Sequence, residues 1–132
     1  MMTNTLRPHH TQSERDAGMG LGENARPQRS FLDGVEVEYG TRGSVRPDWI
    51  VDSTAAFEIK NYNLNNISNL TSDISRQAIK NHQHLPEGMT QQFYIDTRGQ
   101  NITSEQATRI IQGTVDKSGG VLRREDIIIM RD

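Results

Sequence analysis

Residues 46–60 constrain the fold of this chain more than any other part of its sequence. Two short runs with strand character flank Asp52-Ser53-Thr54, whose composition is typical of a hairpin turn. If Ser53 is the centre of a three-residue loop, Asp48 lies directly opposite Glu58 on the neighbouring strand. This stretch therefore predicts an antiparallel hairpin with a defined register.

The register sorts the hairpin side chains into an apolar face and a charged face, because alternate residues of a strand point to opposite sides of a sheet. The apolar face carries Pro47, Trp49, Val51, Phe57 and Ile59. The charged face carries Arg46, Asp48, Glu58 and Lys60. A two-residue loop would mix the two sets, so we expect the three-residue loop.

The charged face brings two carboxylates together. Opposed residues lie about 4.5–5.5 Å apart, so Asp48 and Glu58 repel by about 3 kcal/mol at an effective dielectric constant of about 20. A divalent cation removes this repulsion, because Mg²⁺ binds carboxylate oxygens. Alternatively, Arg46 and Lys60 turn the face into a solvated ladder of surface ion pairs, which contributes little to stability. Geometry alone leaves both interpretations open.

The rest of the chain predicts a mixed α/β domain. Further strands are predicted at 35–39, 92–97 and 127–130, from alternating or continuous apolar residues. Helices are predicted at 65–85 and 103–117, the second beginning with a Thr103–Gln106 capping box. The predicted order is (α)βββαβαβ. We expect Trp49 to be buried against one or both of these helices.

Residues 1–30 are predicted as a polar N-terminal arm or linker, followed by one domain at 31–132. Residues 12–25 have a weak helical pattern, but Gly18, Gly20 and Gly22 each cost a helix about 1 kcal/mol relative to Ala. The segment is therefore either a fraying linker or a short helix packed on the domain.

The composition excludes several classes of protein. The absence of cysteine excludes a disulfide scaffold, a thiolate metal site and a cysteine nucleophile. Because no apolar run approaches about 18 residues and the N-terminus has no signal pattern, we expect neither a membrane span nor a secretion signal. The net charge of −2 gives no general basic field. However, 12 of the 15 basic residues are Arg, whose planar group suits phosphate oxygens.

The hairpin also carries a recognisable pattern. Arg46-Pro47-Asp48, followed after nine residues by Glu58-Ile59-Lys60, resembles the signature of the PD-(D/E)-x-K nuclease superfamily. The wider segments are similar to the nuclease domains of bacterial polymorphic toxins, which lie at the C-termini of contact-dependent inhibition, RHS and type VI effector proteins. These segments are 39–48, 57–64, 85–89 and 95–100. The resemblance covers roughly residues 34–132.

This resemblance implies the restriction-endonuclease-like fold, a mixed β-sheet flanked by helices, and a nuclease that depends on Mg²⁺ or Mn²⁺. Asp48 and Glu58 would be metal ligands, joined by the backbone carbonyl of Ile59. Lys60 would orient the attacking water or neutralise the charge that develops on phosphorus.

Two further site residues follow from the resemblance. Many members add a glutamate from the first helix, for which Glu23 is the first candidate and Glu14 the second; a solvated charge is the alternative. Many also place a glutamine on the helix after the lysine strand. Gln77 matches it and shares the inward face of that helix. Because position 81 is Asn, the Gln-x-x-x-Tyr form of some relatives is absent, and Gln77 as a polar boundary residue remains the alternative.

Substrate and partners are likewise implied by the resemblance. DNA is the first substrate expected, because most of the resemblances point to it, and tRNA is the second; no base-reading motif in the sequence decides between them. The implied biology is an antibacterial toxin, secreted as the C-terminal part of a larger bacterial effector and acting in the target-cell cytoplasm. A cognate immunity protein is then implied as a partner. The alternative of a different class is a non-enzymatic binding module whose charged hairpin is only a surface.

Overall fold

The computed structural model describes residues 7–132, and short apolar runs between turns form its strands. The strands are β1 (Ala25–Arg26), β2 (Ser30–Leu32), β3 (Val35–Val37), β4 (Trp49–Val51), β5 (Ala55–Lys60), β6 (Thr90–Asp96) and β7 (Ile127–Met130). The helices are α1 (His10–Gly20), α2 (Ile67–His84), α3 (Ser104–Lys117) and a 3-10 turn at Arg124–Asp126. None of the helices in this range is both long and apolar enough to cross a membrane.

Five strands form one mixed sheet in the order β1-β4-β5-β6-β7. β4 runs antiparallel to both of its neighbours, whereas β5, β6 and β7 are parallel to one another. β2 and β3 form a separate two-stranded hairpin, tied to the segment before β4 by the Phe31–Val45 bridge. The predicted mixed α/β class, with a mixed sheet flanked by helices, is confirmed.

The predicted register of the β4–β5 hairpin is also confirmed. Trp49 pairs with Phe57, and Val51 pairs with Ala55, which leaves residues 52–54 as a three-residue loop. Asp52 and Ser53 have positive φ values of 52° and 56°, the conformation that a tight hairpin turn requires. The loop therefore fixes Asp48 and Glu58 as the next opposed pair beyond the end of β4.

The main core lies on the face of the sheet that α2 covers. Its buried residues come from both long helices, from β6 and from the segment that ends in β7: Ile67, Leu70, Ile74, Ala78, Phe93, Ile95, Ile110, Leu122 and Ile127. The Thr103–Gln106 capping box predicted at the start of α3 is confirmed. Because α2 and α3 share this core, they leave the opposite face of the sheet to another element.

That element is α1, which lies in the segment predicted as an arm. Ala17 packs with Phe57 and Ile59 on the apolar face of the hairpin, and β1 extends the sheet beside β4. Of the two alternatives for this segment, the structure has the packed helix, beginning at His10. The prediction for Trp49 is wrong in two respects, because its side chain is half-buried and it packs against α1. The predicted helices could not cover it, since they lie on the other face.

Candidate active site

Asp48 lies where β4 and β5 part. β4 begins at Trp49, whereas β5 continues to Lys60, so the backbone of β5 beyond Phe57 has no strand partner on that side. The side chain of Asp48 supplies the hydrogen-bond acceptor that a neighbouring strand would otherwise provide: its Oδ2 accepts a hydrogen bond of 2.7 Å from the Ile59 N–H. The N–H and C=O of one strand residue point to the same side. The carbonyl of Ile59 is therefore directed to the side on which Asp48 lies.

Two side chains of α2 bind the carboxylate of Glu58. Its side chain is buried, with the residue 2% exposed. Its Oε2 accepts a hydrogen bond of 2.9 Å from Nε2 of Gln77 and another of 2.9 Å from Nδ2 of Asn81. Gln77 and Asn81 are four residues apart and lie on the same face of α2. Gln77 thus contacts the predicted site, as its inward position indicated, while its part in catalysis stays a prediction.

The two carboxylates change each other's ionisation. Burial raises the pKa of Glu58 to about 8, with a further rise from the charge of Asp48, against the charge of Lys60 and the hydrogen bond from Asn81. Burial also raises the pKa of Asp48, against the Ile59 N–H and the charge of Lys60. The pair therefore retains a proton more readily than two solvated acids would.

The face of the hairpin predicted as charged is covered by other elements, and it carries both apolar and charged side chains. Ile50 and Ala56 point to the same side as Glu58 and pack with Phe31 and Leu85 beneath the β2–β3 hairpin. Arg46 is exposed and lies over the ring of Tyr39, with 5.9 Å between its Cζ and the ring centroid. The description of this face as a solvated ladder of ion pairs is therefore wrong for Glu58, which α2 shields from solvent.

The structure separates the two glutamates predicted from the first helix. Glu23 is exposed in the turn after α1. Glu14 lies within α1, half-buried, and burial raises its pKa, as does the charge of Asp48, while His10 and Lys60 lower it. The second candidate, Glu14, therefore shares an electrostatic environment with Asp48 and Lys60.

The position of Glu14 depends on a close approach of α1 to Trp49. Nε1 of Trp49 donates a hydrogen bond of 2.9 Å to the backbone carbonyl of Glu14. A Cβ at Gly18 would lie 2.2 Å from Cζ2 of Trp49, so only glycine permits this packing. Arg98 adds an ion pair of 2.9 Å to Asp16 of α1. The helix that its glycines predict to be weak is thus fixed by tertiary contacts.

The donors at this site are oxygens. Within residues 7–132, no group of three or more His, Asp or Glu side chains is arranged to hold a metal ion. The predicted ligands are two carboxylates, Asp48 and Glu58, with the backbone carbonyl of Ile59. Magnesium is commonly held by one or two carboxylates while it keeps several waters, so this smaller set is of the type it uses.

Asn81 is the site residue that sequence reasoning missed. The signal was present, because Asn81 follows Gln77 by four residues and must share its face of the helix. In the resemblance to known nucleases, position 81 stands out only because this chain has Asn where some relatives have Tyr. No protein-family model, curated protein or solved structure gives a significant match to this chain.

Proposed function

We propose that this chain is a divalent-metal-dependent nuclease, with DNA as its first substrate. The proposal is carried by one observation, the buried Glu58 carboxylate beside Asp48, oriented by two amides. Burying an acid next to another acid is unfavourable for a sheet that has only a structural role. Acids with pKa values raised by burial and by a specific charge partner are typical of functional sites.

The donor set fits Mg²⁺ or Mn²⁺. Both ions favour carboxylate and carbonyl oxygens, and a dication would compensate the repulsion and the burial that raise the pKa of Glu58. When bound, such an ion supplies a water of lowered pKa and screens the charge of the phosphate. Asp48, Glu58 and the Ile59 carbonyl are the groups that would hold it.

The remaining groups act on orientation and charge. Gln77 and Asn81 donate to Glu58 and so favour its ionised, metal-binding form. The Ile59 N–H does the same for Asp48. Lys60 lies on the same strand face, about 6.7 Å along the strand from Glu58, where its ammonium can hold the attacking water or neutralise the developing charge. Glu14 is the candidate for the additional carboxylate that Glu23 was expected to supply.

The finer fold assignment belongs to the same proposal. The antiparallel β4–β5 pair leads into α2, and the parallel strands β6 and β7 follow with α3 between them. The observed order is αβββββαβαβ, because β1 and β2 add two short strands to the predicted (α)βββαβαβ. From the β4–β5 pair onwards, the succession supports a restriction-endonuclease-like fold. Together with the resemblance of the hairpin, it supports an antibacterial toxin domain of a larger secreted effector, active in the target-cell cytoplasm and neutralised by a cognate immunity protein.

Two substrates and a non-enzymatic function are distinguished by one experiment. The purified protein is incubated with supercoiled plasmid and with total RNA, in Mg²⁺, in Mn²⁺ and in EDTA. The proposal expects plasmid cleavage that requires the divalent ion and stops in EDTA. Cleavage confined to RNA would favour the tRNA-cutting alternative, and loss of the tRNA bands would identify it. The absence of cleavage of either substrate would refute the nuclease and leave a binding module.

A further inference from the structure

A cleft of about 350 Å³ opens beside the candidate active site. It lies between α2 and residues 44–46, which lead into β4. Gln77 and Asn81, which hold Glu58, are part of its lining, so the cleft lies directly beside the site. Three cations also line it, Arg46, Arg76 and Lys80, and we call it the basic cleft.

The cations of the basic cleft are largely uncompensated. All three side chains are exposed, and within residues 7–132 neither Arg46 nor Lys80 forms an ion pair. Arg76 pairs with Asp73, which is itself 42% exposed, and such surface pairs contribute little. The chain as a whole has a net charge of −2, so this local positive charge does not reflect a general excess.

The arrangement on α2 relates the cations to the acids. Arg76 and Lys80 are four residues apart and lie side by side on the helix, each directly before one of the two amides that bind Glu58. Like charges at this spacing destabilise a helix unless an anion lies between them. One row of α2 therefore orients the acid, and the adjacent row presents positive charge to the cleft beside it.

We propose that the basic cleft binds the phosphates that flank the cleaved bond of a nucleic acid strand, an inference that rests on the proposed nuclease function. A row of exposed Arg and Lys next to a carboxylate pair suits a polyanion that runs past the site. Phosphate contacts fix the position of a strand and read no sequence. The strand would enter along α2 and pass Glu58 on its way towards Lys60.

The test measures binding without cleavage. A fluorescently labelled DNA strand and its duplex are titrated with the Asp48→Asn variant in EDTA, and anisotropy gives the affinity over a series of NaCl concentrations. Three phosphate contacts predict a slope of log affinity against log salt of about −2 to −3. Added to this background, Arg46→Gln and Lys80→Gln should each weaken binding by about five- to tenfold near 0.1 M salt and reduce the slope by about 0.7–0.9.

The matched control is Arg109→Gln, which removes an exposed cation from α3 outside the cleft and should leave the slope unchanged. If the cleft variants bind like their parent, or if the parent binds neither the labelled DNA strand nor its duplex, the inference is overturned. The nuclease proposal is judged separately, by Mg²⁺-dependent cleavage with the wild-type protein. Salt-dependent binding through the cleft without any cleavage would support the cleft and refute the nuclease.

Discussion

Asn81 of α2 donates a hydrogen bond of 2.9 Å to Oε2 of Glu58, and both side chains are buried. Gln77 donates to the same oxygen, and two neutral donors favour the ionised acid. Burial and the charge of Asp48 nevertheless raise the pKa of Glu58 to about 8. The acid is thus oriented by groups that favour its charged form, in surroundings that favour its neutral form, and a bound cation relieves this conflict.

The first prediction concerns stability and pH. The pKa of Glu58 is about 8 in the folded chain against an ordinary value of 4.5, so the folded state binds this proton more tightly than the unfolded state. Its contribution to stability is complete below about pH 4.5 and is lost as the pH rises towards 8. Glu58→Gln keeps an oxygen for both amides without the charge. It should therefore raise the free energy of unfolding near pH 8 by roughly 1–3 kcal/mol.

Urea unfolding in EDTA at acid and at mildly alkaline pH measures this effect. Glu87→Gln is the control, because Glu87 is exposed in the turn after α2 and should change stability little at either pH. The same stability difference at both pH values for Glu58→Gln would mean that folding does not raise the pKa of Glu58.

A second prediction assigns Asn81 a positioning role. Asn81→Leu has a similar size but no donor, so it should raise the pKa of Glu58 further. The acid limb of the cleavage rate against pH should move to higher pH. Activity at neutral pH should fall about tenfold for each pH unit by which this limb moves, and it should return in alkaline buffer. Gln83→Leu on the exposed side of α2 should leave the profile unchanged. An equal loss of activity at every pH would indicate a structural role only.

The third prediction compares two glycines of α1. Gly18→Ala forces a methyl group into the indole of Trp49 and should cost roughly 1–3 kcal/mol of stability, because the helix must move. Gly20→Ala meets no atom within 4 Å and should stabilise the helix by about 0.5–1 kcal/mol. Urea unfolding followed by the fluorescence of Trp49, the single Trp, measures both. Equal stability of the two variants would contradict the observed packing of α1.

The hairpin register could be predicted from sequence because a single register separates its apolar and charged residues. The elements that cover each face of the hairpin could not be predicted, since α1, α2 and the β2–β3 hairpin come from distant parts of the chain. The placement of Glu14 in the electrostatic environment of Asp48 depends on a close approach of Gly18 to Trp49 that no local sequence pattern contains. Gly18 would weaken α1 as an isolated helix, but in the folded chain it allows α1 to pack against Trp49.

Two short strands were missed for different reasons. β1 has only two residues, and it exists because β4 offers a free edge. β2 could have been found, since Asp33-Gly34 is a typical two-residue hairpin turn, with φ values of 51° and 85° at these residues. The β2–β3 hairpin matters for the site because it covers Ile50 and Ala56 on the Glu58 side of the sheet.

The fourth prediction separates Lys60 from the metal ligands. Lys60→Ala should lose most of its turnover while its Mg²⁺ affinity, measured by titration calorimetry, stays near that of the wild type. Lys60→Arg should not restore turnover, because a planar guanidinium cannot replace a compact ammonium. Full activity of the arginine variant would show that a diffuse positive charge is sufficient at this position.

The central claim is that Asp48 and Glu58 form the metal-binding centre of a nuclease. Two substitutions on the same hairpin test it most directly. Asp48→Asn keeps an oxygen for the Ile59 N–H but loses the charge, whereas Asp52→Asn makes the same change in the exposed turn. Asparagine also tolerates the positive φ of 52° at position 52.

Cleavage of plasmid DNA and total RNA is measured for both variants and for the wild type, in Mg²⁺ and in EDTA. We predict that the wild type and Asp52→Asn cleave at similar rates in Mg²⁺ and not in EDTA, and that Asp48→Asn shows no cleavage in either. Cleavage by Asp48→Asn at the wild-type rate, or cleavage that persists in EDTA, would contradict the account.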